Sequence, residues 1–106
     1  MYAIVDIETT GGHASSHGIT EIAILVHDGN RLVQSFHSLV NPGKEIPLYI
    51  TALTGIDSKM LRDAPYFEDI AAEVADMLDR KVFVAHNVNF DYSFIRQHLN
   101  HAGFSF

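Results

Sequence analysis

The hydrophobic pattern of the chain changes period near its middle. Tyr2-Ala-Ile-Val-Asp-Ile7 is a short apolar run rich in β-branched residues, which predicts a buried strand. Ile19 to Val26 is a second run. It carries Ile22, Ile24 and Val26 on one side and Glu21, Ala23 and Leu25 on the other. Asp28-Gly29 follows and signals a two-residue hairpin turn. Arg31 to Val40 reads as the returning strand, ended by Asn41-Pro42-Gly43. The first third of the chain therefore predicts a three-stranded antiparallel meander.

After Pro47 the period lengthens. Leu48 to Leu53 predicts a short helix stopped by Gly55, and Asp57-Ser58 can cap another short turn through Leu61. Phe67, Ile70, Ala71, Val74 and Leu78 recur at helical spacing, one apolar stripe on a helix of about four turns. Val82-Phe-Val-Ala85 is a short, wholly apolar strand. Phe90, Phe94, Ile95, Leu99 and Ala102 mark a last helix, with Asn87 or Asn89 near its cap and Gly103 at its close. The order β-β-β-α-β-α predicts an α/β fold, a meander extended by one strand after a helical crossover.

The chain's 106 residues suit one domain, and 47% hydrophobic against 19% charged residues supports a packed core. Thirteen Asp/Glu against seven Lys/Arg give a formal charge of -6. That excludes a basic nucleic-acid coat and a polybasic membrane binder, but not an enzyme that meets phosphates through metal ions. There is no cysteine, so disulfides, thiolate metal sites and cysteine nucleophiles are excluded. No signal peptide pattern and no membrane-spanning run is found, and a cytoplasmic location is expected.

Asp6 and Glu8 end the first strand. With side chains alternating, both carboxylates leave the same face, roughly 6.5 to 7 Å apart along the strand. Two such groups repel each other and lose hydration, costs that a divalent cation removes; hard oxygen ligands suit Mg²⁺ or Mn²⁺. The plainer alternative is a strand end emerging into solvent. Asp91, in His86-Asn-Val-Asn-Phe-Asp91, falls in the first turn of the last helix. There it could serve only the helix dipole. If the short apolar strand lies parallel beside the first, Asp91 instead faces Asp6 and Glu8. Thr9-Thr10-Gly11 follows the acidic pair and reads either as a plain turn or as a place where a substrate comes close.

The remaining candidates are weaker. His13 and His17 share the solvated loop Gly11 to Gly18, and His27 and His37 read as surface residues on strands. His98 and His101 are helical neighbours with no acid or cysteine to complete a ligand set. The methionines and most phenylalanines read as packing.

Asp6-Ile-Glu-Thr-Thr-Gly11 together with His86-Asn-Val-Asn-Phe-Asp91 resembles the DEDD, or DnaQ-like, 3′–5′ exonuclease superfamily. Ser38-Leu-Val-Asn-Pro-Gly43, Ile46-Pro47, Leu53-Thr-Gly-Ile56 and Ala64-Pro65 stand between them in the family's order. The likeness is strongest to the proofreading epsilon-subunit type of bacterial DNA polymerase III, and it covers nearly the whole chain. It implies an RNase H-like mixed sheet and two Mg²⁺ or Mn²⁺ ions. Asp6 would bridge the ions, Glu8 would complete the ion that activates water, and Asp91 would act near the second. Thr9 and Thr10 would hold the terminal nucleotide through their backbone. Leu53, Thr54 and Ile56 would wedge against its base, and His86, Asn87 and Phe90 would shape the site. The product would be a nucleoside 5′-monophosphate from a DNA, or RNA, 3′ end, in proofreading or repair.

One departure stands out. The family pattern continues to a fourth acid and a general base, in a His-x-x-x-x-Asp or Tyr-x-x-x-Asp motif, whereas no Asp or Glu follows Asp91 here. The expectation is that residues 1–106 are the N-terminal portion of an exonuclease domain, before the last strand and helices, and impaired in activity. A polymerase or further domains of a longer chain would be its partners. The short fourth strand, lacking an outer neighbour, predicts self-association, by edge pairing or by docking of the final helix, or else marginal stability as a monomer. The competing class is a catalytically silent nucleic-acid- or protein-binding module on the same fold, for which the missing motif is the support.

Overall fold

The structure, a computed structural model, describes all 106 residues. It contains β1 (Tyr2–Thr9), β2 (Ile19–His27), β3 (Leu32–Leu39), α1 (Leu48–Thr54), α2 (Ser58–Leu61), α3 (Phe67–Leu78), β4 (Val82–Val84) and α4 (Val88–His101). These form one mixed sheet in the order β3-β2-β1-β4. The first three strands are the antiparallel meander, and β4 joins parallel to β1 after the helical crossover. No helix is long and apolar enough to cross a membrane.

Strand alternation fixes which face is covered. Ala3, Val5 and Ile7 of β1 and Ile22, Ile24 and Val26 of β2 are buried. Helices α3 and α4 lie against that face. Phe67, Ile70, Ala71, Val74 and Leu78 of α3 and Phe94, Ile95 and Leu99 of α4 complete one continuous core. The stripe at helical spacing is thus the buried face of α3. Its start is held by Asp69, whose carboxylate accepts from the Tyr66 N–H at 3.0 Å. The opposite face of the sheet carries no helix, and Tyr2, Ile4, Leu25, Val82 and Val84 are exposed there.

Three local expectations shift. The β2–β3 turn is longer than two residues. The Asp28 carboxylate folds back to accept from Asn30 N–H at 2.8 Å and Arg31 N–H at 2.9 Å, which opens the turn into a four-residue connection. β1 runs on to Thr9 through a bulge after Glu8, which leaves Thr20 as the extra residue of β2. Asn87 does stand at the N-cap of α4, but its side chain makes no capping hydrogen bond.

α1 and α2 form a small separate layer. Ile46, Ile50, Ile56 and Leu61 pack together as its own core. Gly55 ends α1 in the left-handed region, φ 76, where its N–H reaches Thr51 O at 2.8 Å. The result is a short helix standing over the end of β1 rather than over the sheet.

Phe94 is fully enclosed. Phe94→Ala should destabilise the fold by about 3–5 kcal/mol, read from urea denaturation. A loss under about 1 kcal/mol would show that α4 is not anchored through this ring.

Candidate active site

The parallel pairing of β4 with β1 covers only Tyr2↔Val82, Ala3↔Phe83 and Ile4↔Val84. β1 outruns its neighbour by five residues, Val5 to Thr9. The chain leaves β4, turns through His86 and Asn87, and enters α4 beside that overhang. Asp91 therefore arrives in the first turn of α4, only 6% exposed. Asp6 and Glu8 project from the open face of β1, Asp6 exposed and Glu8 half-buried. Asp91 N–H closes the first helical turn to Asn87 O at 3.2 Å.

Electrostatics couples the three acids. The Glu8 carboxyl is held above its ordinary pKa, first by burial, then by the charges of Asp6, Glu21 and Asp91. Asp91 is also pushed up, first by burial and then by Asp6. The backbone amides of Ile7 and Asp91 and the nearby His86 act in the opposite direction. Both groups thus feel Asp6, and Glu8 feels Asp91. No three His, Cys, Asp or Glu side chains are drawn into a ligand shell. The donor chemistry, hard oxygens crowded by like charge, fits a divalent cation such as Mg²⁺ or Mn²⁺.

Glu21 is the acid that the sequence reading passed over. It lies directly across from Glu8 in the β1–β2 register, so both point to the open face. Its Oε2 is 2.6 Å from His37 Nε2 on β3. Hydrophobic alternation in β2 already put Glu21 on the polar side. Only the register, shifted by the bulge, put it opposite Glu8.

A cleft of about 330 Å³ adjoins the acids and brings Glu8, Thr9, Leu53, Thr54 and Phe90 together. Tyr49 and Ile50 also wall it, with Gly11 and Gly12 at its rim. Leu53 is 78% exposed, a large apolar side chain left on the cleft wall by a helix too short to bury it. Thr54 Oγ1 donates to Ile50 O at 2.9 Å and accepts from Ile56 N–H at 3.2 Å, which fixes the end of α1.

The other candidates are not on the cleft wall. Ile56 is buried beneath α1 in the small core. Thr10 is buried too: its N–H donates to Gly18 O at 2.9 Å, and its Oγ1 accepts from Gly18 N–H at 3.0 Å. Thr10 thereby pins the base of the Gly11–Gly18 loop. His86 and Asn87 are exposed at the turn into α4. In the loop, the His17 ring lies so close over Gly11 that any Cβ there would overlap it. A side chain at position 11 would displace that ring.

The family model described as an exonuclease, RNase_T, matches residues 3–105. The chain belongs to this exonuclease family. The "3'-5' exonuclease DinG" of Staphylococcus aureus strain USA300 is 43% identical over 96 residues, which is 91% of this chain but 11% of that protein's length. The chain thus spans about a ninth of the curated relatives it matches. Among solved structures, Exonuclease X in complex with 5′ overhanging duplex DNA superposes with TM-score 0.76 at 30% identity, over 90% of this chain and 54% of that one. Exonuclease I in its apo form superposes with TM-score 0.86 at 17% identity, over 98% of this chain and 25% of that one, a likeness of fold. The RNase H-like architecture expected from the motifs is therefore the fold of this chain.

Glu8 and Asp91 bind protons more readily folded than unfolded. Their contribution favours folding below the unfolded pKa and declines as pH rises through the folded values. Removing the shared charge should relieve both. In metal-free protein, Asp6→Asn should lower the NMR titration midpoints of Glu8 and Asp91. It should also stabilise the fold at neutral pH by about 0.2–1 kcal/mol, a gain that shrinks once both groups are protonated in acid. Unmoved midpoints would mean that Asp6 is not near enough to couple.

Proposed function

We propose that this exonuclease-family chain carries the metal-binding part of a site that removes nucleoside 5′-monophosphates from DNA 3′ ends, in proofreading or repair. The observation that carries this reading is the mutual charge crowding of Asp6, Glu8 and Asp91 beside an apolar-walled cleft. The reaction adds the hydroxyl of water to the terminal phosphorus and breaks the bond to the 3′ oxygen, which takes up the proton. Asp6, Glu8 and Asp91 would hold Mg²⁺ or Mn²⁺, two ions in a complete site, which supplies water activation and neutralises phosphate charge.

The chain's own residues would do the positioning. Gly12 leaves room at the rim for a sugar-phosphate, and the backbone at Thr9 stands beside it. Leu53 and Phe90 offer apolar surface to the terminal base. Thr10 and Ile56 would act from beneath, one securing the loop and the other α1. His86 and Asn87 would border the entry to Asp91. The family's fourth acid has no counterpart after Asp91, so slow turnover is expected of the 106-residue chain. A polymerase or other domains of a longer protein would be its partners. A silent binding module on this fold is the second reading, but it leaves the destabilising crowding of three acids without a use.

Mn²⁺ binding, followed by electron paramagnetic resonance, and release of labelled 3′-terminal nucleotide test the proposal together. Asp6→Ala should weaken Mn²⁺ by more than the roughly 10–100-fold that loss of an outer partner causes, and it should abolish nucleotide release. Unchanged Mn²⁺ affinity in that variant would sink the assignment.

We also infer that the chain self-associates. β4 is an edge strand with its outer backbone groups unpaired, and Val82 and Val84 are exposed on the uncovered face beside Ile4. Sedimentation should show concentration-dependent dimers or larger species, reduced by Val84→Lys. A monomer at all concentrations would count against it.

A further inference from the structure

A second groove leaves the cleft on the far side of the Gly11–Gly18 loop. Gly12 borders both the cleft that Glu8 lines and a hollow of about 580 Å³ between that loop and the outer face of α4. His13, Ser15, Ser93, Arg96, Gln97 and Asn100 line this hollow, and no acidic side chain does. It shares Ala14, Ser15 and Gln97 with a further cleft of about 280 Å³, so the two adjoin. That cleft adds Lys44, His17 and His101, with Glu68 its one acid.

In a chain with thirteen Asp/Glu and seven Lys/Arg, this stretch is unusual. It collects two fixed positive charges and a run of hydroxyl, amide and imidazole donors, facing one carboxylate at its far end. The floor is firm. Lys44 Nζ donates to Ser16 O at 3.0 Å, which ties the cation to the loop and leaves its other N–H groups free. The His17 ring rests on Gly11, joining the groove wall to the backbone at the cleft that Glu8 lines. Arg96 and Lys44 are both exposed. A row of donors with two cations, in hollows that meet the Glu8 cleft at Gly12, fits a chain of phosphates.

We propose that the groove between the Gly11–Gly18 loop and α4 holds the phosphodiester backbone of a single DNA strand, with Arg96 and Lys44 as its charged contacts. The identity of the ligand rests on the exonuclease reading; the charge pattern of the groove does not. Phosphate contacts of this kind set register and affinity without reading sequence.

The test is fluorescence anisotropy of labelled dT12 with the 106-residue protein in excess EDTA, where the carboxylate site has no metal and no cleavage occurs. Arg96→Gln with Lys44→Gln should weaken dT12 binding at least tenfold and reduce the salt slope by about 1–2. A control pair at the other end of the sheet, Arg31→Gln with Lys81→Gln, should leave both within twofold. Circular dichroism confirms that each variant is folded. Equal affinity in the two double variants, or no dT12 binding by the unaltered protein, overturns the groove. Either result leaves the Mn²⁺ and nucleotide-release tests of the acid site standing. Conversely, loss of binding in the groove variant supports the groove even if Asp6→Ala proves without effect.

Discussion

Three parallel residue pairs between β4 and β1 hold the molecule's chemistry together. They are few, but they decide where α4 begins. Because β4 stops at Val84 while β1 continues to Thr9, the following helix starts beside the overhanging part of β1. Asp91 is buried there against Ile7's backbone instead of extending into solvent. Shift β4 by one residue against β1 and β4's own faces exchange, with Phe83 turned out of the core and Val82 and Val84 turned into it.

The arrangement stores a conflict. Burial and like charge both raise the proton affinity of Glu8 and Asp91, so the fold accepts an electrostatic cost at one end of the sheet. The rest of the core is conventional by comparison: Phe94, Ile95 and Leu99 belong to one apolar cluster with Val5, Ile24 and Val74. Local conflict within a consistent core is the pattern expected where a site, not stability, dictates the residues. The Gly11–Gly18 loop belongs to the same economy of space. Thr10 anchors its base, and the His17 ring occupies the volume that glycine leaves at position 11.

One face of the sheet is packed by helices and the other is bare, and this asymmetry sets what the chain can do. The bare face displays the acids at one end and Tyr2, Ile4, Leu25, Val82 and Val84 at the other. The covered face, through α4, supplies both Asp91 to the acids and Arg96 to the neighbouring groove. A single helix of fourteen residues thereby serves core, acid cluster and groove from three of its sides.

Much of this was written in local sequence. Period-2 alternation in the strands and the helical stripe from Phe67 to Leu78 depend only on which side chains avoid water, and they predicted the meander, the crossover and the core faces. The pair Asp6 and Glu8 was legible for the same reason, because alternation alone puts both on one face. The β2–β3 turn was misread because the Asp28 carboxylate competes with the backbone for the same N–H groups, a balance that a dipeptide signal does not contain. Proximity across elements was not legible. Glu21 meets Glu8 only through strand register and a bulge, Ile56 is buried only because α1 and α2 fold onto each other, and Arg96 and Lys44 line adjoining hollows only because a loop closes against α4. Periodicity determines which way a residue faces within its own element. Which residues then share a volume of space is decided by packing between elements, and that is a property of the tertiary structure alone.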